Sequence, residues 1–259
     1  MRKIINVIAI LFVLLIIIFQ ALPVCATGKI YSWYCAHRKD NLQPTADQSL
    51  TFIEKYSACY VDKKHGDDCS DKVIYLTFDA GYENGNVTKI LDILKQENVT
   101  AAFFVLGGII KKNTELVNRM FDEGHLVCNH TYSHKSMANI DQATFNAEIE
   151  KLESVCREYT GKQLSCYYRP PEGVFDEQSL QYANELGYKT VFWSFAYADW
   201  DNGNQMSAER AKQKILQNVH NGEIMLLHPT SETNALILQD VICQLRSMGY
   251  RFGSLDEIR

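Results

Sequence analysis

Two histidines four residues apart, His130 and His134, are the first side chains in the sequence whose type and spacing could do chemistry. On a helical turn, residues four apart lie on one side, so both imidazoles could bind a divalent metal, with zinc the first choice. Alone, the pair is a weak signal, because histidines at this spacing are more often solvated or packed. Four other histidines have no partner at ligand spacing, and we expect surface or local packing roles for them: His37, His65, His125 and His220.

Two further candidates, Asp79 and His228, each follow an apolar run directly. Asp79 comes after Ile74–Phe78 and before Gly81, so its carboxylate could be presented as a general base. His228 ends the run Ile224–Leu227, where partial loss of solvent suits an imidazole to proton donation. The alternatives are an aspartate that hydrogen-bonds its own turn and a core histidine bonded to the backbone.

Two more segments could support these groups. Arg169 precedes two prolines that stiffen the chain, so it could hold Asp79 ionised and leave the N–H of Glu172 free to donate. Asp199 and Trp200 could give the candidate acid a carboxylate partner and an apolar wall. The plain alternatives are a rigid turn with a surface arginine, a loop aspartate and a half-buried tryptophan.

The elements that must position these residues alternate along the chain. Strand-like runs are Val73–Phe78, Ala101–Leu106, His125–Asn129, Tyr167–Tyr168, Thr190–Phe195 and Glu223–Leu227. Helix-like stretches are Val87–Glu97, Asn113–Gly124, Asp141–Thr160, Asp176–Leu186 and Ser207–Val219, with a final helix and strand after them. This alternation predicts an α/β fold with a mostly parallel sheet: an incomplete or distorted β/α barrel, or, as runner-up, a doubly wound open sheet.

The candidate residues come just after predicted strands, although they are far apart in sequence. In parallel β/α folds the carboxyl ends of the strands meet at one mouth. We therefore expect Asp79, His130, Arg169, Asp199 and His228 to share one cleft.

The N-terminal residues have the pattern of an export signal. Arg2 and Lys3 precede an apolar run, Ile4–Phe19, interrupted only by Asn6. Residues 1–26 are therefore a predicted signal peptide, or a membrane anchor formed by residues 4–24, and the chain is expected to act outside the cytoplasm at the cell wall or membrane. Residues 27–70 form a predicted N-terminal extension, and residues 71–259 a catalytic domain.

The net charge argues against one class of binding partner, and the cysteine spacing argues against a cysteine metal site. Without Arg2 and Lys3, 24 of the 26 basic residues remain against 31 acidic ones, a net charge of −7, so nucleic acid is not an expected partner. No CxxC metal pair exists among the eight cysteines. Export permits disulfides, Cys59 with Cys69 or Cys156 with Cys166, and buried free thiols are the equal alternative.

Five segments, taken in order, resemble the motifs of the polysaccharide deacetylase family: Thr77–Asp79, His130–His134, Arg169–Gly173, Asp199–Trp200 and Leu226–His228. The resemblance implies a distorted β/α barrel and metal-dependent removal of acetyl groups from amino sugars. It implies a metal on His130 and His134, with Asp79 as base and His228 as acid. It also implies that Arg169 tunes the base, that Asp199 tunes the acid and that the Glu172 N–H meets the developing oxyanion.

Four sequence segments are similar to one branch of this family, the delta-lactam-biosynthetic de-N-acetylases: Ile53–Tyr56, Phe78–Gly85, Arg169–Phe175 and Val191–Ser194. That branch implies a peptidoglycan substrate, N-acetylmuramic acid without a stem peptide, leading to the muramic lactam of spore cortex. Tyr82, within the second segment, and Trp200 are assigned to substrate contact.

Two positions depart from the family pattern. Ala80 replaces an aspartate that ligates the metal in most members, and Ala196 replaces the aspartate that usually begins the fourth motif. The alternatives are therefore an N-acetylglucosamine or chitooligosaccharide deacetylase and a glycan-binding pseudoenzyme whose metal site decayed at Ala80. A zinc peptidase is disfavoured because Thr131 stands where its motif requires glutamate.

Overall fold

The computed structural model describes residues 28–38 and 40–258. The predicted signal peptide or membrane anchor, residues 1–26, lies outside the described residues. None of the helices within these ranges is both long and apolar enough to cross a membrane.

A curved sheet whose eight strands all pair in parallel forms the centre of the molecule. Its strands are β2 (Ala58–Cys59), β3 (Lys72–Ala80), β4 (Ala102–Val105), β5 (Leu126–Asn129), β6 (Ser165–Tyr168), β8 (Lys189–Val191), β9 (Glu223–Leu227) and β10 (Tyr250–Phe252). The order is β10-β3-β4-β5-β6-β8-β2, with β9 also pairing with β3. The two remaining described strands, β1 (Tyr31–Ser32) and β7 (Val174–Phe175), pair antiparallel with each other.

Helices follow the strands in turn, as the alternating pattern predicts. The α-helices are Asn86–Gln96, Gly107–Lys112, Thr114–Asp122, Gln142–Thr160, Glu177–Glu185, Ala208–Asn218 and Glu232–Ser247. Asp141 caps the longest helix by accepting from the Thr144 N–H, and Gly161 ends it in the left-handed region. The Gly107–Lys112 helix was not predicted, and residues Gln48–Tyr56 of the extension form a 3-10 helix.

The strand predicted over Thr190–Phe195 ends at Val191. From that point, three successive backbone carbonyl groups accept hydrogen bonds from side chains. Arg169 donates to the carbonyls of Val191 and Phe192, and the Trp33 indole donates to that of Trp193. Beyond Val191, the segment that follows β8 pairs in parallel with β9 through a single β-bridge, between Phe195 and Met225. The barrel is therefore incomplete, which confirms the predicted fold class over the doubly wound alternative.

Strand β3 shows how the core positions the mouth. Ile74, Leu76 and Phe78 face one apolar layer, which includes the helices, while Val73 and Tyr75 face another that includes residues of β4 and β9. Burial on both faces makes β3 a fixed support for the residue at its carboxyl end.

The predicted N-terminal extension contributes to the same structure, since β2 pairs with β8 in the main sheet. The seven cysteines within the described ranges are all free, so neither candidate disulfide is formed.

Candidate active site

Of the five residues expected to share one cleft, Asp79, His130 and His228 line a cavity of about 750 Å³ at the carboxyl ends of the strands. Arg169 and Asp199 are buried and do not line it, but they bind Asp79 and His228 respectively. The cavity lining includes Asp79, Tyr82, His130, His134, Glu172, Trp193, Ala196, Tyr197, Trp200 and His228. The sequence does not identify Trp193 and Tyr197 as site residues, because an aromatic residue beside a strand is equally typical of the hydrophobic core.

Asp79 is the second-last residue of β3 and forms an ion pair with the buried Arg169. The Arg169 Nη1 lies 2.8 Å from the Asp79 Oδ1, while Nη2 donates to the Thr77 hydroxyl at 2.9 Å and Nε to the Val191 carbonyl at 2.9 Å. The guanidinium is fully buried over the Phe104 ring, 4.1 Å from its centroid. The surface-arginine alternative is therefore wrong, and the predicted contact with Asp79 is present.

Electrostatics keep this carboxylate ionised. Burial would raise the pKa of Asp79, but positive charge on His130 and Arg169 outweighs that effect and holds the pKa below its usual value. Burial lowers the pKa of His130 to about 4, although Asp79 opposes this. At neutral pH the charge beside Asp79 is therefore that of Arg169.

The histidine pair lies on an irregular loop, so the helical turn expected for it is wrong. Thr131 and His134 have φ angles of 70° and 59°, in the left-handed region. Side-chain bonds replace a helical ladder here: the Thr131 N–H donates to Asn129 Oδ1, and the His134 N–H donates to the Thr131 hydroxyl. The two rings nevertheless meet, with centroids 5.0 Å apart and planes at 70°.

The histidines fit a divalent metal as a two-imidazole donor set. His130 Nδ1 lies 2.8 Å from the Arg169 carbonyl and donates a hydrogen bond to it. This leaves Nε2, 3.5 Å from Asp79 Oδ2, as the electron-pair donor for a metal. Within residues 28–38 and 40–258, no group of three His, Cys, Asp or Glu side chains could hold a metal ion. Ala80 is fully buried in the apolar core and adds no ligand, so water or substrate would complete the coordination.

On the other wall, His228 is held by Asp199. Nδ1 lies 2.7 Å from Asp199 Oδ1, and the backbone N–H of His228 donates to Oδ2 at 2.8 Å. Burial would lower the pKa of His228, but the hydrogen bond and charge of Asp199 raise it above its usual value. Sequence reasoning missed Asn234, whose amide donates to Asp199 Oδ2 at 2.6 Å, because an asparagine inside a helix carries no distinctive pattern.

The predicted substrate residues lie around the opening. Trp200 is 61% exposed, with its ring centroid 6.1 Å from that of His228. Tyr82 is 51% exposed, and its hydroxyl accepts a hydrogen bond from Asn202. Glu172 lines the cavity with a left-handed backbone, φ 57°, directly after the second proline.

The four histidines without an assigned chemical role have local packing roles, as expected. The His220 Nε2 lies 2.8 Å from the Ser194 hydroxyl, and the His65 Nδ1 lies 2.6 Å from Asp62. The His125 ring accepts from the Ala101 N–H, and that of His37 stacks on Phe195.

Comparison with known proteins agrees with this geometry. Residues 66–191 match the family model described as "Polysaccharide deacetylase". The chain is 40% identical over 228 residues to the peptidoglycan-N-acetylmuramic acid deacetylase PdaA of Bacillus subtilis, covering 88% of this chain and 85% of that protein. A peptidoglycan-N-acetylglucosamine deacetylase of Bacillus cereus is 32% identical, covering 80% and 73%.

A solved structure of Bacillus subtilis PdaA, described as a family 4 carbohydrate esterase, superposes with a TM-score of 0.84. It is 39% identical and covers 89% of this chain and 97% of that one. The resemblance found in five short motifs therefore extends over most of the described fold. The chain belongs to the polysaccharide deacetylase family.

Proposed function

We propose that this chain is an exported, metal-dependent peptidoglycan N-deacetylase that acts on N-acetylmuramic acid residues lacking a stem peptide. The observation that carries the proposal is one cavity containing an ionised carboxylate, Asp79, and an imidazole poised to donate a proton, His228. The 40% identity to a protein named for N-acetylmuramic acid deacetylation supports the choice of sugar.

In this proposal, Asp79 accepts a proton from the attacking water while Arg169 keeps the carboxylate ionised and aimed. When bound, a divalent cation, zinc in the first instance, would be held by His130 and His134 and would polarise the acetyl carbonyl. The Glu172 N–H meets the oxyanion as it develops.

His228 then protonates the leaving amine. Its Nδ1 proton is directed at Asp199, which leaves Nε2 to carry and release the transferred proton. The products are acetate and a free amino sugar, and Tyr82 and Trp200 would contact the glycan at the opening.

The freed amine of muramic acid can close onto its own lactyl carboxyl group with loss of water, giving a delta-lactam. The resemblance to the delta-lactam-biosynthetic branch implies that this product belongs to spore cortex. On that basis we propose that the enzyme acts at the cell wall during sporulation, with residues 1–26 as its signal peptide or anchor.

Acetate release from stem-peptide-free glycan strands, measured with and without zinc, tests the activity. Release that depends on metal is expected. No release under any divalent metal would favour the glycan-binding pseudoenzyme, since Ala80 supplies no ligand.

An N-acetylglucosamine deacetylase is the second candidate, favoured by the 32% identity to a Bacillus cereus protein of that name. Mass spectrometry of the digested glycan separates the two, because glucosamine is then the product in place of muramic acid or its lactam.

A further inference from the structure

A short N-terminal strap, Tyr31–His37, ties together two segments that line the active-site cavity. Its first two residues form β1, which pairs with β7 directly after the Glu172 loop. Trp33 then donates its backbone N–H to the Gly173 carbonyl at 2.8 Å, and its indole Nε1 donates to the Trp193 carbonyl at 2.8 Å. One residue outside the family motifs is thus bonded to both cavity segments, to the Glu172 loop through its backbone and to Trp193 through its side chain.

Close packing also restrains the contacts of Trp33 with these two segments. Trp33 is only 5% exposed and stacks on Phe192, with ring centroids 4.6 Å apart. A Cβ placed on Gly173 would lie 2.7 Å from the Trp193 ring and 3.1 Å from the Trp33 Cβ. The Gly173 backbone is therefore sandwiched between two tryptophans, and the loop cannot shift toward either one.

The restraint matters because Glu172 has a backbone conformation that non-glycine residues rarely adopt, with φ 57° and ψ 7°. Such a conformation persists only where the surroundings over-determine it. The following residue, Gly173, receives the Trp33 hydrogen bond, and the two residues after it pair with β1. The strap is therefore part of what holds the Glu172 N–H in place.

We infer that Trp33 is a positioning residue for deacetylation, which fixes the Glu172 loop and the Trp193 wall relative to Asp79 and His228. This inference rests on the proposed function, in which the Glu172 N–H meets the oxyanion. An interaction that acts mainly in the transition state affects kcat more than KM.

The test compares Trp33→Phe with Tyr56→Phe, a matched control in the same N-terminal extension. Each variant keeps an aromatic ring and loses one hydrogen bond from the extension to the rest of the domain; that of Tyr56 goes to the exposed Glu177, outside the cavity lining. Trp33→Phe should lower kcat for acetate release about fivefold to tenfold with KM within about twofold. Tyr56→Phe should leave both within about twofold. Trp33→Tyr is measured in the same assays, so that the test remains possible if the phenylalanine variant does not fold.

Hydrogen–deuterium exchange separates this inference from the proposed function, because it needs no substrate. Peptides covering residues 169–175 and 192–197 should exchange faster in Trp33→Phe and at the wild-type rate in Tyr56→Phe. Unchanged exchange in Trp33→Phe, or a loss of kcat equal to that of Tyr56→Phe, would overturn the positioning role. Faster exchange in a chain whose wild type releases no acetate would overturn the proposed function, and with it the catalytic part of the inference.

Discussion

The Asp199 carboxylate binds His228 at two points, with Oδ1 at 2.7 Å from the ring Nδ1 and Oδ2 accepting the backbone N–H at 2.8 Å. Asn234 steadies the same carboxylate from the helix Glu232–Ser247. The pair therefore fixes both the orientation of the imidazole and the nitrogen on which a transferable proton resides.

Asp199→Asn should lower kcat by about 10²- to 10⁴-fold with little change in folding, because an amide preserves the shape but no longer stabilises the imidazolium. Acetate release at saturating glycan measures this. Asp201→Asn, two residues along on the exposed loop, is the matched control and should retain wild-type kcat. Equal rates for the two variants would remove Asp199 from the mechanism.

The pH dependence of kcat should report His228 through its alkaline limb. Since His228 must carry a proton to donate it, activity falls as pH rises through its pKa, which Asp199 raises above the usual histidine value. In Asp199→Asn the carboxylate charge is gone and burial lowers the pKa, so the alkaline limb should move to lower pH. A limb that stays in place in the variant would show that another group titrates there.

Arg169→Lys should destabilise the fold as well as the site. Lysine cannot reproduce the bonds to Asp79, Thr77 and the Val191 carbonyl, and it leaves buried partners unmatched. We expect a loss of about 3 kcal/mol in the free energy of unfolding, measured by urea denaturation. Arg157→Lys on the exposed side of its helix should change it by less than about 0.5 kcal/mol. A fully stable Arg169→Lys protein would contradict the buried network described above.

Metal should be removed readily by chelation, because two imidazoles are the side-chain ligands we assign and Ala80 supplies none. A chelator is expected to abolish acetate release, and excess zinc to restore it. Loss of an outer partner of a metal ligand typically costs about 10- to 100-fold in affinity, so His134→Ala should raise the zinc needed by at least that factor. Activity that survives exhaustive chelation would contradict a metal on this pair.

Much of the site was predictable because its residues follow apolar strands. The runs before Asp79 and His228 specify buried parallel strands, and the mouth of such a sheet brings their ends together. The contacts between Arg169 and Asp79 and between Asp199 and His228 followed from that reasoning.

Other features were not predictable, because tertiary contacts decide them. The spacing of His130 and His134 favoured a helical turn, whereas hydrogen bonds through Asn129 and Thr131 fix an irregular loop. The strand after Thr190 ends early because the Arg169 and Trp33 side chains, distant in sequence, take its carbonyl groups. No local pattern carries such information.

Mass spectrometry of stem-peptide-free peptidoglycan strands, after incubation with the zinc-loaded enzyme, tests the proposed function at its centre. We expect the muramic acid residues to lose their acetyl groups, seen as muramic acid or its delta-lactam, while the N-acetylglucosamine residues stay intact. Glucosamine as the sole deacetylated sugar, or glycan recovered unchanged, would contradict deacetylation of N-acetylmuramic acid by this protein.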